Sequence, residues 1–290
     1  MEKIPVFYTP KMVAIYAPEK GKHFSPSSAK PIKVVESWAK QFPIEIIEPV
    51  PVTIEDYARA HDRQFVEDII ACKIENGFEN KSPEVAAALP YTSGSLLSAC
   101  KHVLKSKKVA VSPTSGFHHA EFNKSMGFCT LNGLMVTALA LKESKLVNTV
   151  GILDLDMHYG NGTDNIIKVK KCKDWIAHFT GGKHFNYPEQ VPKFFKELPN
   201  ILELMSKCDI VIYQAGADPH INDPYGGWLT TEELRIRDAM VFDALAASRT
   251  PVAWNLAGGY QVEKDGSIPK VLEIHDNTMK ECVRVYQKVA

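Results

Sequence analysis

The densest concentration of chemically capable side chains is Asp154-Leu155-Asp156-Met157-His158. In an extended chain residues i, i+2 and i+4 share a face, so two carboxylates and an imidazole would project together while Leu155 and Met157 enter apolar packing. Such a set is unfavourable away from water unless a cation or hydrogen-bond donors compensate it. Asp218, closing a later apolar run, offers a further oxygen. Two carboxylates and one imidazole suit Zn²⁺ with a position left for water, the pattern of a catalytic rather than a structural site. Oxygen-rich ligation keeps Fe²⁺, Co²⁺ and Mn²⁺ open. A lone D-x-D more often caps a helix or pairs with a lysine. Here His158 at the same spacing and His118-His119 on another loop favour the metal.

Water activated by a metal needs a proton acceptor, and the pair His118-His119 supplies two candidates. Asp154, off the metal, is suited to hold one imidazole by a hydrogen bond and raise its basicity. Asn161, being neutral, would orient the other more weakly. Tyr260 follows Gly258-Gly259, where a sharp backbone turn can carry a phenol into a cleft. A tyrosine hydroxyl there can donate to an oxyanion.

Positioning these groups falls to a few short elements. Runs 108–111, 149–153, 210–213 and 251–255 are rich in Val and Ile, as expected of buried parallel strands. Longer stretches, 67–76, 95–105, 131–142, 230–247 and 277–288, read as helices, the fourth opening with acidic residues after Thr230. Strands alternating with helices imply an α/β fold in which ligands sit beyond the carboxyl ends of the strands. The four runs lead into SPTSGFHHA, DLDMHYGNGT, QAGADPH and NLAGGY, so the unusual residues gather at one sheet edge.

No linker, repeat or long charge run divides the 290 residues, which read as a single domain, 1–290. Lys plus Arg and Asp plus Glu both number 34, which argues against a nucleic-acid partner. No stretch is apolar enough to span a membrane, and the first residues, MEKIPVFYTPKMV, lack a signal-peptide pattern. Cys72, Cys100, Cys129, Cys172, Cys208 and Cys282 are scattered without a C-x-x-C pair, as in a reducing compartment. A cytoplasmic location is the expectation.

Six ordered stretches, GFHHA (116–120), GFCTLN (127–132), DLDMHYGNGT (154–163), YQAGAD (213–218), DPYGG (223–227) and NLAGGY (255–260), resemble the histone deacetylase and acetylpolyamine amidohydrolase superfamily. HDRQFVEDI (61–69) is similar to its N-terminal region, and the likeness covers roughly residues 57–260. The resemblance implies a three-layer arginase-like α/β fold with a central, mainly parallel sheet flanked by helices. It implies one Zn²⁺ held by Asp156, His158 and Asp218, with His119 as general base and then general acid. His118, linked to Asp154, would give electrostatic support, and Tyr260 would stabilise the oxyanion. Gly127 and Phe128 would line a narrow substrate channel. The implied substrate is an acylated amine, foremost the Nε-acetyl group of lysine in proteins or peptides, with an acetylpolyamine as the alternative.

Several residues depart from the pattern. Tyr159 replaces a second histidine, and Tyr225 stands in D-P-Y-G-G where leucine is common, giving a more polar channel wall. No Asp near Ala88–Tyr91 matches the carboxylate that clamps peptide backbone in some relatives. A structural K⁺ or Na⁺ ion is implied near the Asp154 strand, yet Trp175–His178 lacks the usual serine. Phe185 or Tyr187 is expected to face Phe128 across the channel, with His184 and His220 as rim or loop residues rather than ligands. Asp223 and Glu121 are the acids by sequence nearest the mouth. A binuclear manganese hydrolase would need a second D-x-D beside Asp218, which is missing. A binding protein for acyl-lysine that has lost catalysis would be expected to lack His119, Tyr260 or a ligand; all are present.

Overall fold

Within residues 2–16 and 25–287, which the computed structural model describes, the Val- and Ile-rich runs form the middle of one parallel sheet. Its strands are β1 (Ile4–Phe7), β2 (Ile44–Ile47), β3 (Val109–Ser112), β4 (Val150–Asp154), β5 (Ile176–Thr180), β6 (Ile210–Gly216) and β7 (Val252–Ala257). Their order is β2-β1-β3-β7-β6-β4-β5, with every neighbour parallel. The four strands expected from apolar runs are the adjacent central ones, and every residue in them is buried. The other three lack that signature. Strand β2 is half-exposed and carries Glu45, β5 carries His178, and β1 contains Pro5.

The described residues also form helices α1 (Lys30–Gln41), α2 (Ile54–Ala60), α3 (Arg63–Ile70), α4 (Pro83–Ser106), α5 (Gly133–Glu143), α6 (Asn161–Val169), α7 (Val191–Met205), α8 (Thr231–Ala247) and α9 (Pro269–Tyr286). Helices α5 and α8 match expectation because their caps are explicit. Asn132 accepts from the Met135 N–H, and Thr230 with Glu233 forms a capping box. Three others differ. The helix expected at 67–76 lies at 63–70: Asp62 caps it by accepting from Phe65 N–H, and left-handed Cys72 follows its end. Helix α4 begins twelve residues before Ser95 because Ser82 caps it and Pro83 fits its first turn, and it continues through Pro90. The last helix starts at Pro269 rather than 277; Lys288 lies outside the described residues.

Strand alternation divides the apolar residues between two cores, giving the three layers implied by the resemblance. On one face Val109, Val111, Leu153, Val211, Tyr213 and Trp254 pack with residues of α1, α7, α8 and α9. On the other Ala110, Val150, Ile152, Ile210, Ile212 and Ala253 pack with α2 to α6. Trp38 of α1 meets Trp254 of β7 edge-on, 5.4 Å between ring centres, and both are fully buried. Trp38→Ala is expected to destabilise the protein by about 3–5 kcal/mol. Urea unfolding should show a lower midpoint with an unchanged slope.

Candidate metal and catalytic centre

Near the carboxyl edge of the sheet the apolar strands carry a row of polar residues. Ser112, Asn255, Gln214, Asp154 and Thr180 lie side by side in register across β3, β7, β6, β4 and β5. All five are buried. Asp154 is fully buried and accepts from His118 Nδ1 at 2.8 Å, Gln214 Nε2 at 2.8 Å and its own loop's Asp156 N–H at 3.2 Å. Strand β4 therefore stops at Asp154 instead of continuing extended to His158. Asp156 repeats the motif, accepting from His158 N–H at 2.8 Å. These side-chain-to-backbone turns curl the segment. Asp154 is left facing His118 while Asp156 and His158 turn towards Asp218.

Asp156, His158 and Asp218 each offer one donor atom, all within 4.8 Å of one another. His158 Nδ1 lies 3.2 Å from Asp156 Oδ1 and 2.9 Å from Asp218 Oδ2. Ligands around a tetrahedral Zn²⁺ at about 2.0–2.1 Å are separated by roughly 3.3 Å, so this donor set fits such an ion. Asp154 is not part of it. Burial works against a charged His158, but hydrogen bonds to Asp156 and Asp218 outweigh it and raise its pKa to about 11. Burial and the Asp156 charge push Asp218 upward. The two buried carboxylates repel each other beside a half-buried imidazole unless protons or a cation balance them.

His118 and His119 sit beside this set, their ring centres 4.1 Å apart and that of His119 5.8 Å from His158. Burial disfavours a charged His118, yet the Asp154 and Asp156 carboxylates prevail and raise its pKa to about 9. Burial and the neighbouring His118 lower that of His119 to about 4. Its Nδ1 lies 2.7 Å from Asn161 Oδ1. Gly127, at φ +57°, presses on the His119 ring so closely that a Cβ would come within 2.6 Å of His119 Cδ2.

Tyr260 is drawn to the same place by contacts that the sequence did not disclose. Gly258, at φ +50°, lies against Asp218, where a Cβ would stand 2.1 Å from the carboxyl carbon. Buried Lys30 donates to the Gly258 carbonyl. Burial lowers the Lys30 pKa to about 8 against the pull of Asp218, Asp223 and Asp156. Asp223 accepts from the Tyr260 N–H at 2.7 Å and the Tyr225 N–H at 3.0 Å, tying two loops together. Burial and then the Asp218 charge raise the Tyr260 phenol well above its ordinary range. No local pattern around Lys30 marks it, since its partner lies 228 residues away.

Above the centre, Phe128 lies 5.7 Å from Tyr260 and 6.5 Å from Tyr225, and the two tyrosines meet edge-on at 5.0 Å. Tyr225 thus faces Phe128 in place of Phe185 or Tyr187. A tight 3₁₀ turn at Gly181–Lys183 sends Phe185 into the core against Phe194 and Trp228, while Tyr187 is 66% exposed. Asp223 and Glu121 are not open acids at the mouth: Asp223 is buried on Tyr260 and Tyr225, and Glu121 accepts from Asn161 Nδ2. His184 stacks on Phe179 and His220 is buried against Thr231 and Asn222, and neither joins the Asp156, His158 and Asp218 donors.

The stretch expected to help hold K⁺ or Na⁺ presents His178, whose Nδ1 lies 2.7 Å from Asp164 Oδ1, and Thr180, whose hydroxyl accepts from Gly160 N–H. Tyr159 donates to the same Asp164. Imidazole suits transition metals and hard cations favour oxygen, so His178 does not fit the expected monovalent ion.

A three-layer parallel α/β sheet with an Asp–His–Asp group at its carboxyl edge defines the class as an α/β protein with a candidate metal site. Residues 24–191 match the family model described as histone deacetylase domain, and the chain belongs to that family. It is 31% identical over 173 residues to an uncharacterized protein of Picosynechococcus sp., covering 52% of this chain and 56% of that one. It is 23% identical over 234 residues to histone deacetylase 8 of Xenopus tropicalis, covering 66% and 62%. The matches therefore span less than two thirds of either relative. Among solved structures, acetylpolyamine aminohydrolase from Burkholderia pseudomallei superposes with a TM-score of 0.74 at 16% identity, over 98% of this chain and 99% of that one. The HD domain of HDA15 gives 0.76 at 17% identity, over 98% and 90%. At such identities the structural likeness concerns the fold.

His61 anchors the loop below His119: its Nδ1 donates to the Glu121 carbonyl at 2.9 Å and its Nε2 accepts from Asn132 N–H at 2.8 Å. Burial, opposed by the Glu121 and Phe122 carbonyls, lowers its pKa to about 4. Below the unfolded value of 6.5 the unfolded chain takes up the proton first, so stability falls as pH drops from 6.5 to about 4. The contribution is on the order of 3 kcal/mol. His61→Gln, whose amide offers one donor and one acceptor, should flatten that part of the stability–pH curve measured by urea unfolding.

Proposed function

We propose that the protein hydrolyses the amide bond of an N-acylated amine, foremost Nε-acetyl-lysine in a protein or peptide, releasing a carboxylate and a free amine. The carrying observation is the convergence of the Asp156, His158 and Asp218 donors beside His119 and Tyr260. Asp156, His158 and Asp218 would hold a divalent ion, foremost Zn²⁺ with Fe²⁺ or Co²⁺ as alternatives, which would supply polarisation of a carbonyl and a lowered pKa for water.

The chain's own residues account for the proton traffic. With Nδ1–H donated to Asn161 Oδ1, His119 keeps its Nε2 lone pair for a proton from attacking water and later returns that proton to the leaving amine. His118, paired with Asp154, places positive charge next to the developing oxyanion. The Tyr260 hydroxyl, kept protonated, donates to the same oxygen. Phe128, Tyr225 and Tyr260 give the opening an aromatic wall suited to a methylene chain. An acylated polyamine is the second reading. Glu79 favours it, bordering the opening with Gly77, Gly127, Phe128 and Tyr225.

Zinc-loaded protein incubated in parallel with acetyl-lysine peptide and acetylated polyamine should release acetate from at least one. His119→Ala and Tyr260→Phe should each lower turnover by about a hundredfold or more. Unchanged turnover in His119→Ala removes the acid–base assignment. Dialysis against a chelator should abolish activity, and added Zn²⁺ should restore it. Full activity in protein stripped of divalent metal would overturn the reading.

A further inference from the structure

We propose that Glu121 is a positioning residue for His119, acting through the side-chain amide of Asn161. The proposal rests on the reading of His119 as the proton carrier. An amide differs from a carboxylate in one respect that matters at this position. Its oxygen accepts and its nitrogen donates, so a flip of the Asn161 side chain would present N–H groups to His119 Nδ1. The imidazole would answer by moving its proton to Nε2, the atom that must be free to accept one. A neutral partner is useful only when something decides which way it faces.

Glu121 makes that decision. Asn161 Oδ1 lies 2.7 Å from His119 Nδ1, while Asn161 Nδ2 donates to Glu121 Oε1 at 3.0 Å and approaches Met126 Sδ at 3.7 Å. A carboxylate and a thioether are both acceptors, so the flipped amide would set its oxygen against a negative charge and a sulfur lone pair. Only one orientation satisfies all three neighbours.

The arrangement is held by backbone contacts from several elements. The Glu121 carbonyl accepts from His61, and its N–H donates to the Lys124 carbonyl at 2.9 Å. Gly162, next to Asn161, lets α6 close on the histidine loop, where a Cβ would meet the Ala120 oxygen at 2.4 Å. The Thr163 N–H donates to the His118 carbonyl at 3.1 Å. Glu121 and His119 on one loop and Asn161 on α6 therefore keep a common frame, with His61 holding it from a third part of the chain.

The test uses zinc-loaded protein labelled with ¹⁵N on histidine. Wild type should show His119 as the Nδ1–H tautomer, and Glu121→Ala should show a mixture with Nε2–H. The same variant should lose about tenfold in kcat with KM changed less than about twofold. Glu121→Gln can still offer an oxygen to Asn161 Nδ2 and should recover most of the rate. In an Asn161→Asp background both side-chain oxygens accept, orientation no longer matters, and adding Glu121→Ala should cost no further kcat. An unchanged tautomer in Glu121→Ala overturns the proposal, as does an equal loss of rate in both backgrounds. If wild type turns over no acylated amine, the functional reading fails while the tautomer measurement still decides the role of Glu121.

Discussion

A carboxylate with no access to water constrains everything around it. Asp154 stands at the end of a central strand, fully buried, and its oxygens are met by His118, Gln214 and the Asp156 N–H. An unpaired charge there would cost several kcal/mol, so those donors are conditions of folding as much as of chemistry. The neighbouring strands respond in kind. Ser112, Asn255, Gln214 and Thr180 form a polar row at the level of Asp154, where β3, β4 and β5 end and beyond which β6 and β7 run two residues further.

The same carboxylate separates two kinds of work. By accepting from Asp156 N–H it bends the chain out of the strand, and Asp156 does the same to His158. Asp154 then serves His118, while Asp156 and His158 join Asp218 in a set suited to a divalent ion. The two histidines are also supported differently. His118 has a full negative charge at Nδ1, whereas His119 has an amide. On the proposed function, one stays charged and the other exchanges a proton.

Closeness of backbone to side chain is the second organising feature. Gly127 lies on the His119 ring and Gly258 on the Asp218 carboxylate, both at positive φ and both too near for a Cβ. Lys30 and Asp223, buried beside them, hold the Tyr260 loop through its backbone. The aromatic wall of Phe128, Tyr225 and Tyr260 follows from where these loops are fixed.

Much of this was legible in the sequence. Val- and Ile-rich runs disclosed the four central strands because full burial on both faces leaves no polar interruption. The edge strands carry Glu45 and His178 and escaped notice, since half-exposure removes the signal. A long apolar stretch marked α5 and the start at Thr230 marked α8, while α4 runs on through Pro90, well before the stretch read as helix. The ordered motifs named Asp156, His158, Asp218, His118, His119, Asn161 and Tyr260, all of which the fold gathers at one edge, because residue type and local spacing are written in the chain itself. Which aromatic faces Phe128, that Glu121 turns inward to Asn161, and that Lys30 reaches Gly258 were decided by packing. Those contacts join segments that are far apart along the chain, and only the closed sheet and its loops bring them within a hydrogen bond's reach.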